Sequence, residues 1–367
     1  MVNEDKLIVG SHVHFVNTHG IGDVVMMIPL IIKVLRDKPK KISFTLKSQV
    51  EKSVIQLFIK DENFDYFFFK NTKLFSFKMF SLFKTLRKQK IDQLIFANGM
   101  EYKKSIFLSI FLNVFQTIPS RKNLFYKLLK ANHNFHTHKV LGNYKLVSNK
   151  FDLNDIDLEA RFNGLKSKKE TFSFFETYGD AIKENCLAIA PGSGEIESYK
   201  RWPSHKFKNL ISKINNSYPE VKIFILGNEL ENIIGEELVK DNVNVVNLCG
   251  NLSIKETANF LSRCSIAITN CNGISHLAGA LGCSVIGIYG PTDYKKTGPF
   301  IENFYPVTTK NYSPWYSRKT VKGKKNFSDL EEISENKVFD VFKTVFQKDK
   351  KDLFKYAYRH VELKQFL

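Results

Sequence analysis

Between residues 186 and 290 five short apolar runs recur: CLAIAPGSG (186–194), VKIFILGN (221–228), VNVVNLCG (243–250), SIAITN (265–270) and SVIGIYG (284–290). Most of them end in glycine or asparagine, and helical periodicity fills the gaps over 204–217, 229–240, 254–263 and 273–282. Strand-length runs that are apolar along their whole length, alternating with helices, imply a parallel sheet covered on both faces. Ligands in such sheets sit beyond the carboxyl ends of the strands. The turns after Ala190, Leu226 and Thr269 open on that edge.

The first half repeats the theme less cleanly. HVHFVN (12–17) reads as a strand, THGIGD as a glycine-containing turn and VVMMIPLIIKVL as a helix, with Pro29 near enough to its start to be tolerated. ISFTL (42–46) and DQLIFA (92–97) are further strands. KLFSFKMFSLFKTLRKQK (73–90) places Phe75, Met79, Leu82, Phe83 and Leu86 near helical spacing. That stripe suits core packing or a surface that meets a membrane. A polar, weakly periodic stretch at 150–185 marks the boundary between two similar α/β halves, and the last 30 or so residues are helical and basic.

A chain of 367 residues suffices for two ordinary domains. The apolar stretch near 106–115 is broken by Ser109 and Asn113 and falls short of a membrane span. The start, MVNEDKLIVG, does not read as a secretory signal. Five widely spaced cysteines, none at metal-ligand spacing, suit reduced thiols in a cytoplasm. The net charge of +18 is uneven: residues 66–150 hold 16 lysines and arginines against Asp92 and Glu101. Such a surface attracts polyanions, whether nucleic acid, anionic lipid headgroups or a phosphorylated glycan; a solvated lysine-rich face is the plainer alternative.

Three turns on the expected ligand edges carry candidate chemistry. In ITNCNGISHLAGALG (268–282) a strand gives way to a helix at Asn272 and Gly273. Free amides and the positive end of the helix dipole there suit a phosphate, with Asn272 as N-cap and His276 adding a hydrogen bond or charge. An ordinary capped helix with a packing histidine is the competing reading. In PGSGEIESYKRWP (191–203), Gly192, Ser193 and Gly194 offer backbone donors, while Lys200 and Arg201 bring cations able to hold a diphosphate; both cations could instead be merely solvated. In THGIGD (18–23), Gly20 and Gly22 leave open backbone, and Asp23 serves as a general base or only as a first-turn helix stabiliser. The histidines of HNFHTH (133–138) have no acidic or cysteine partner nearby, which argues against a metal.

Together these segments resemble glycosyltransferase family 9, the ADP-heptose:lipopolysaccharide heptosyltransferases. The resemblance rests on GDVVMMIP (22–29), the PGSG loop followed by KRWP, CNGISHLAGALG and the GPTD turn (290–293), in that order; HKVLGNYKLV (138–147) looks like the family's helix leading toward the interdomain link. It covers residues 10–40 and 186–295 well. It implies the GT-B fold, an α/β architecture of two Rossmann-like domains facing across a cleft. The expected division is an acceptor-binding domain over 1–170, a nucleotide-sugar-binding domain over 171–340, and a helical tail over 341–367 packing back on the first domain. It further implies an inverting, metal-independent enzyme that transfers a heptose or related sugar from ADP-heptose to a lipopolysaccharide or lipooligosaccharide inner core. Asp23 would deprotonate the acceptor hydroxyl and Lys200 would neutralise the leaving diphosphate. The Asn272–Gly273 amides and His276 would hold the phosphates, with Gly22 and Cys271 near the donor sugar. The nucleotide sugar is a substrate and no cofactor is implied. The other expected partners are an anionic glycolipid and the cytoplasmic face of the inner membrane, with no nucleic acid.

Two adjacent positions depart from the family pattern. Cys271 stands where the family has aspartate, and Asn272 where it has serine or threonine. A thiol hydrogen-bonds weakly and carries no charge unless ionised. This leaves room for a same-fold enzyme using another nucleotide sugar, or for an inactive nucleotide-binding assembly protein. A nucleic-acid binder, the remaining alternative, would need a recognition module that the sequence lacks.

Overall fold

The computed structural model describes residues 10–17, 19–60, 64–69, 77–97, 102–114, 116–118, 138–148, 152–165, 186–194, 197–240, 242, 244–314 and 330–352. The chain divides into two compact units, Met1–Leu165 and Lys166–Leu367.

The first unit is built on a parallel sheet of β1 (His12–Val16), β2 (Lys41–Leu46), β3 (Phe64–Phe68), β4 (Gln93–Phe96) and β5 (Gln116–Ile118), in the order β3-β2-β1-β4-β5. Its helices are α1 (Ile21–Arg36), α2 (Gln49–Phe58), α3 (Phe77–Lys88), α4 (Tyr102–Phe111), α5 (Lys139–Tyr144) and α6 (Leu158–Leu165). The run from Val24 to Ile32 is buried throughout, and α1 packs against α2 and α5. Pro29 removes one backbone bond inside α1, and Asn143 Nδ2 donates to the Met26 carbonyl in the same turn at 3.3 Å. Asp155 is fully buried and remains affordable because Arg36 pairs with it at 2.7 Å and the Tyr144 hydroxyl donates to it at 2.7 Å.

One face of this sheet is aromatic: Phe15 stacks on Phe44, and Phe44 on Tyr66. The other face carries a buried polar chain. His12 Nε2 and His14 Nδ1 each lie 2.7 Å from Ser43 Oγ, His14 Nε2 lies 2.9 Å from Thr45 Oγ1, and His12 Nδ1 lies 3.0 Å from the Gln89 carbonyl. Phe83, Leu86, Leu94, Phe96 and Ile106 form an apolar cluster with Val16 of β1, and Phe67, packed against that cluster, also meets His14. The helix expected at 73–90 is therefore core on one side, through Phe83 and Leu86, yet leaves Phe80 exposed on the other.

The second unit holds a six-stranded parallel sheet of β6 (Cys186–Ala190), β7 (Lys222–Ile225), β8 (Val245–Asn247), β9 (Ile266–Asn270), β10 (Ser284–Ile288) and β11 (Phe304–Val307), in the order β11-β10-β9-β6-β7-β8. Its helices are α7 (Ser204–Ser217), α8 (Asn232–Val239), α9 (Ile254–Leu261), α10 (Gly273–Ala280), α11 (Tyr294–Thr297) and α12 (Glu335–Asp352). A Ser253–Glu256 capping box starts α9 by satisfying two orphan amides reciprocally. All five cysteines are free thiols. No helix among the described residues is long and apolar enough to cross a membrane.

Through Asp352 the tail packs within the second unit, where α12 lies on α7, β10 and β11. Val338, Phe342, Val345 and Phe346 join Trp202, Phe207 and Ile211 in one core, with Tyr218 edge-on to Phe342. An apolar stripe of that size is stable only where it is covered, and the second sheet covers it here. Residues 353–367 lie outside the described residues.

Phe342→Ala should therefore cost about 3–5 kcal/mol in denaturant unfolding of the second unit, and a loss below about 1 kcal/mol would show that α12 is not part of that core. The histidine chain predicts a pH dependence in the first unit. Burial pushes the His14 pKa down to about 3, with His12 adding to the effect, and burial lowers His12 as well. Both rings bind protons more readily in the unfolded chain, where imidazole titrates near 6.5. Their stabilising contribution is thus complete above about pH 6.5 and declines as the pH falls toward about 3. His14 alone should account for about 2 kcal/mol lost between about pH 7.5 and about pH 5. His14→Leu should flatten the pH slope of the urea midpoint by that amount; an unchanged slope would contradict a neutral buried ring.

Candidate functional site

The carboxyl ends of β10, β9, β6 and β7 lie side by side, and the chain leaves each through a turn rich in polar or small residues. Asn270, the last residue of β9, is fully buried; its Nδ2 donates to the Pro191 carbonyl at 2.5 Å, and its Oδ1 accepts from the Trp202 amide at 3.0 Å. Asn272 is the N-cap of α10: its Oδ1 accepts from the Ser275 amide at 3.1 Å, while its Nδ2 donates to the carbonyls of Gly192 at 2.8 Å and Ala190 at 3.2 Å. One side chain thus caps the helix and ties it to the PGSG loop. The amides of Gly273 and Ile274 remain as first-turn donors at the positive end of the helix. His276 is buried one turn further on, 7% exposed.

The PGSG loop is clamped from a third direction. Glu231, after β7, accepts from the Gly194 amide at 3.1 Å and from the Asn228 amide at 2.9 Å. The Gly194 amide, expected as an open donor, is therefore already occupied. Gly194 adopts φ +77°, a conformation that favours glycine, and a Cβ on Gly192 would lie 1.8 Å from the Glu231 carboxylate.

The cations are placed by the same loop and are not simply solvated. Arg201 turns back onto it, with Nη2 donating to the Gly194 carbonyl at 2.8 Å and Nε to Ser193 Oγ at 3.3 Å. Ser193 in turn donates to the Glu197 carbonyl at 2.7 Å. Lys200 is only 8% exposed and pairs with Glu197 at 2.9 Å. Trp202 is buried edge-on against Phe207 of α7, with Nε1 donating to the Ile333 carbonyl at 2.9 Å. The loop and both its cations are thereby fixed to the core.

Cys271 is partly exposed beside the Tyr289 hydroxyl, just past β10. Burial first, and Cys271 second, push the Tyr289 phenol well above its ordinary range, and its buried oxygen makes no hydrogen bond of normal geometry. Tyr312 donates to the Thr292 carbonyl, accepts from the Tyr294 amide at 3.2 Å, and is also raised by burial. Cys271 thus neighbours neutral phenols.

In the first unit Asp23 sits in the first turn of α1, one residue after Gly22, and the Lys139 ammonium meets it at 2.8 Å. Lys139 begins α5, whose N-cap is His138: its Nδ1 accepts from the Val140 amide at 3.2 Å. His138 is thus a buried capping residue, while residues 133–137 lie outside the described residues. Among the described residues no cluster of three or more His, Cys, Asp or Glu is placed to hold a metal. The structure thus brings Gly192, Ser193, Gly194, Lys200, Arg201, Asn272 and Gly273 together on one sheet edge, with Cys271 and His276 flanking the α10 start. Asn270, Glu197, Glu231, Lys139 and Tyr289 escaped the sequence reading. The Asn228–Glu231 spacing does spell a capping box, and Asn270 is a lone amide ending an apolar run.

Similarity to known proteins agrees with these motifs. The chain is 27% identical over 240 residues to lipooligosaccharide heptosyltransferase 2 of Campylobacter jejuni, covering 63% of this chain and 69% of that protein. The fold matches the E. coli ADP-heptose lipopolysaccharide heptosyltransferase II with a TM-score of 0.65 at 14% identity, covering 92% of this chain and 99% of that one. It matches a family 9 glycosyltransferase from Veillonella parvula with a TM-score of 0.67 at 15% identity, over 94% and 99% of the two chains. The profile of glycosyltransferase family 9 (heptosyltransferase) spans residues 79–326, and the chain belongs to that family.

Proposed function

We propose that this protein transfers a heptose from ADP-heptose to the inner core of a lipopolysaccharide or lipooligosaccharide at the cytoplasmic face of the inner membrane, as a peripheral enzyme. The observation that carries the reading is the anchored loop pair at the carboxyl edge of the second sheet, in a chain of this family. Asn272 joins PGSG to the start of α10, so helix amides and Lys200 belong to one rigid edge.

In this reading the diphosphate of the donor rests on the Gly273 and Ile274 amides, with His276 beside it and Lys200 supplying positive charge. The Glu197 carboxylate now on Lys200 gives way to the phosphates. Asp23 takes the proton of the acceptor hydroxyl. That oxygen forms a bond to the anomeric carbon as the bond from carbon to diphosphate breaks, with inversion, and ADP leaves with the electron pair. Lys200 and the amides offset the charge that develops on the leaving group, the electrostatic part of the catalysis. Lys139 holds the Asp23 carboxylate in place. No metal has a role in this scheme. Cys271, backed by the buried Tyr289 phenol, faces the donor sugar.

ADP and ADP-heptose should raise the melting temperature of the second unit by several degrees at about 100 times Kd, where binding adds about 2.7 kcal/mol. Shifts from UDP or GDP sugars, with none from ADP, would reassign the donor. Asp23→Asn should lower kcat about 10²–10⁴-fold in transfer to a truncated lipooligosaccharide while leaving ADP affinity unchanged. Wild-type turnover in that variant would remove the proposed base.

A further inference from the structure

The outer surface of α3 and α4 is apolar where a soluble unit would normally be polar. Phe80 is 60% exposed, Phe107 49% and Ile110 59%. They form one patch through Phe111, which stacks on Phe107 at 5.9 Å and meets Phe80 edge-on at 6.5 Å. The inner sides of the same helices are already used, since Phe83, Leu86 and Ile106 are buried in the core. Ser105 and Ser109 are also buried, with Ser109 Oγ donating to the Ile106 carbonyl, so the larger Phe107 and Ile110 are left outside. From Ser105 to Phe111 α4 carries no charge at all. A helix that is apolar all round needs a second apolar environment.

The rim supplies the charge that the patch lacks. Lys84, Arg87, Lys88 and Lys90 are exposed, and no ion pair among the described residues engages them. Neither α3 nor α4 contains an acidic residue. Aromatic and aliphatic side chains beside exposed cations that pair with none of the described residues match the two layers of an anionic bilayer surface, acyl chains below and phosphates above. A nucleic acid would satisfy the cations but leave Phe107 and Ile110 in water.

We propose that the α3–α4 surface docks the first unit on an anionic lipid bilayer, with Phe80, Phe107 and Ile110 entering the headgroup–acyl boundary. The inference rests on and deepens the peripheral-membrane part of the reading above; the transfer reaction itself is tested separately. The test is flotation of the full-length protein with vesicles of phosphatidylethanolamine and phosphatidylglycerol, beside vesicles of phosphatidylcholine alone. Transfer to a delipidated, water-soluble acceptor is measured in parallel.

Wild type should float with the anionic vesicles and not with the neutral ones, and high salt should weaken binding. Phe80→Ser/Phe107→Ser/Ile110→Ser should cut partitioning at least about tenfold. Lys84→Gln/Arg87→Gln/Lys88→Gln should cut it on the order of 100-fold, each cation near the surface contributing about fivefold. Both variants should keep wild-type circular dichroism and wild-type turnover of the soluble acceptor. Absence of wild-type flotation, or equal flotation of the Phe/Ile variant, overturns the proposal. So does a dimer of wild type that the Phe/Ile variant dissolves, which makes the patch a contact between copies. Tight RNA binding lost in the Lys/Arg variant, without vesicle binding, overturns it as well. Flotation without any transfer would leave the docking surface standing and refute the glycolipid reading.

Discussion

Where a parallel sheet ends, its main-chain carbonyls and amides lose their strand neighbours, and in the second unit three side chains replace them. Asn270, Asn272 and Glu231 take up the carbonyls of Pro191, Ala190 and Gly192 and the amides of Gly194 and Asn228. Orphaned backbone groups in a buried turn are costly, so these contacts decide which shape the PGSG loop can hold. Once that shape is set, Arg201 is fastened to the loop, Trp202 is seated on α7, and Lys200 is confined between them. The side chains that could meet a ligand are therefore held by ones that need not touch it.

The first unit solves a different problem. Its sheet buries two imidazoles and two hydroxyls on one face, a polar layer that is tolerable only because each member has a partner. Beyond the end of β1 the chain presents a carboxylate, Asp23, met by Lys139 from the basic stretch over 66–150. One unit thus holds its acid beside an ammonium, and the other gathers amides and cations on a sheet edge.

Much of the second sheet was legible because its strands are buried on both faces and read as continuous apolar runs. β3, β5 and β11 were not. FDYFF lacks a clean period, β5 has three residues, and β11 contains Pro306. The α10 start was legible from Asn272 and Gly273, since a cap and a turn are local signals. The clamps were not, because they join residues far apart in the chain: Asn270 to Pro191 across 79 positions, Gly194 to Glu231 across 37. The helical character of α12 was plain from its pattern, yet nothing local says which sheet its stripe will cover.

The contact between Gly192 and Glu231 limits which substitutions such a loop can take. A side chain at 192 would push the carboxylate off the two amides it holds, and any residue at 231 unable to accept them would release the loop. A side chain at 192 and the loss of Glu231 thus have one consequence in common: the carboxylate leaves the two amides that set the loop's shape.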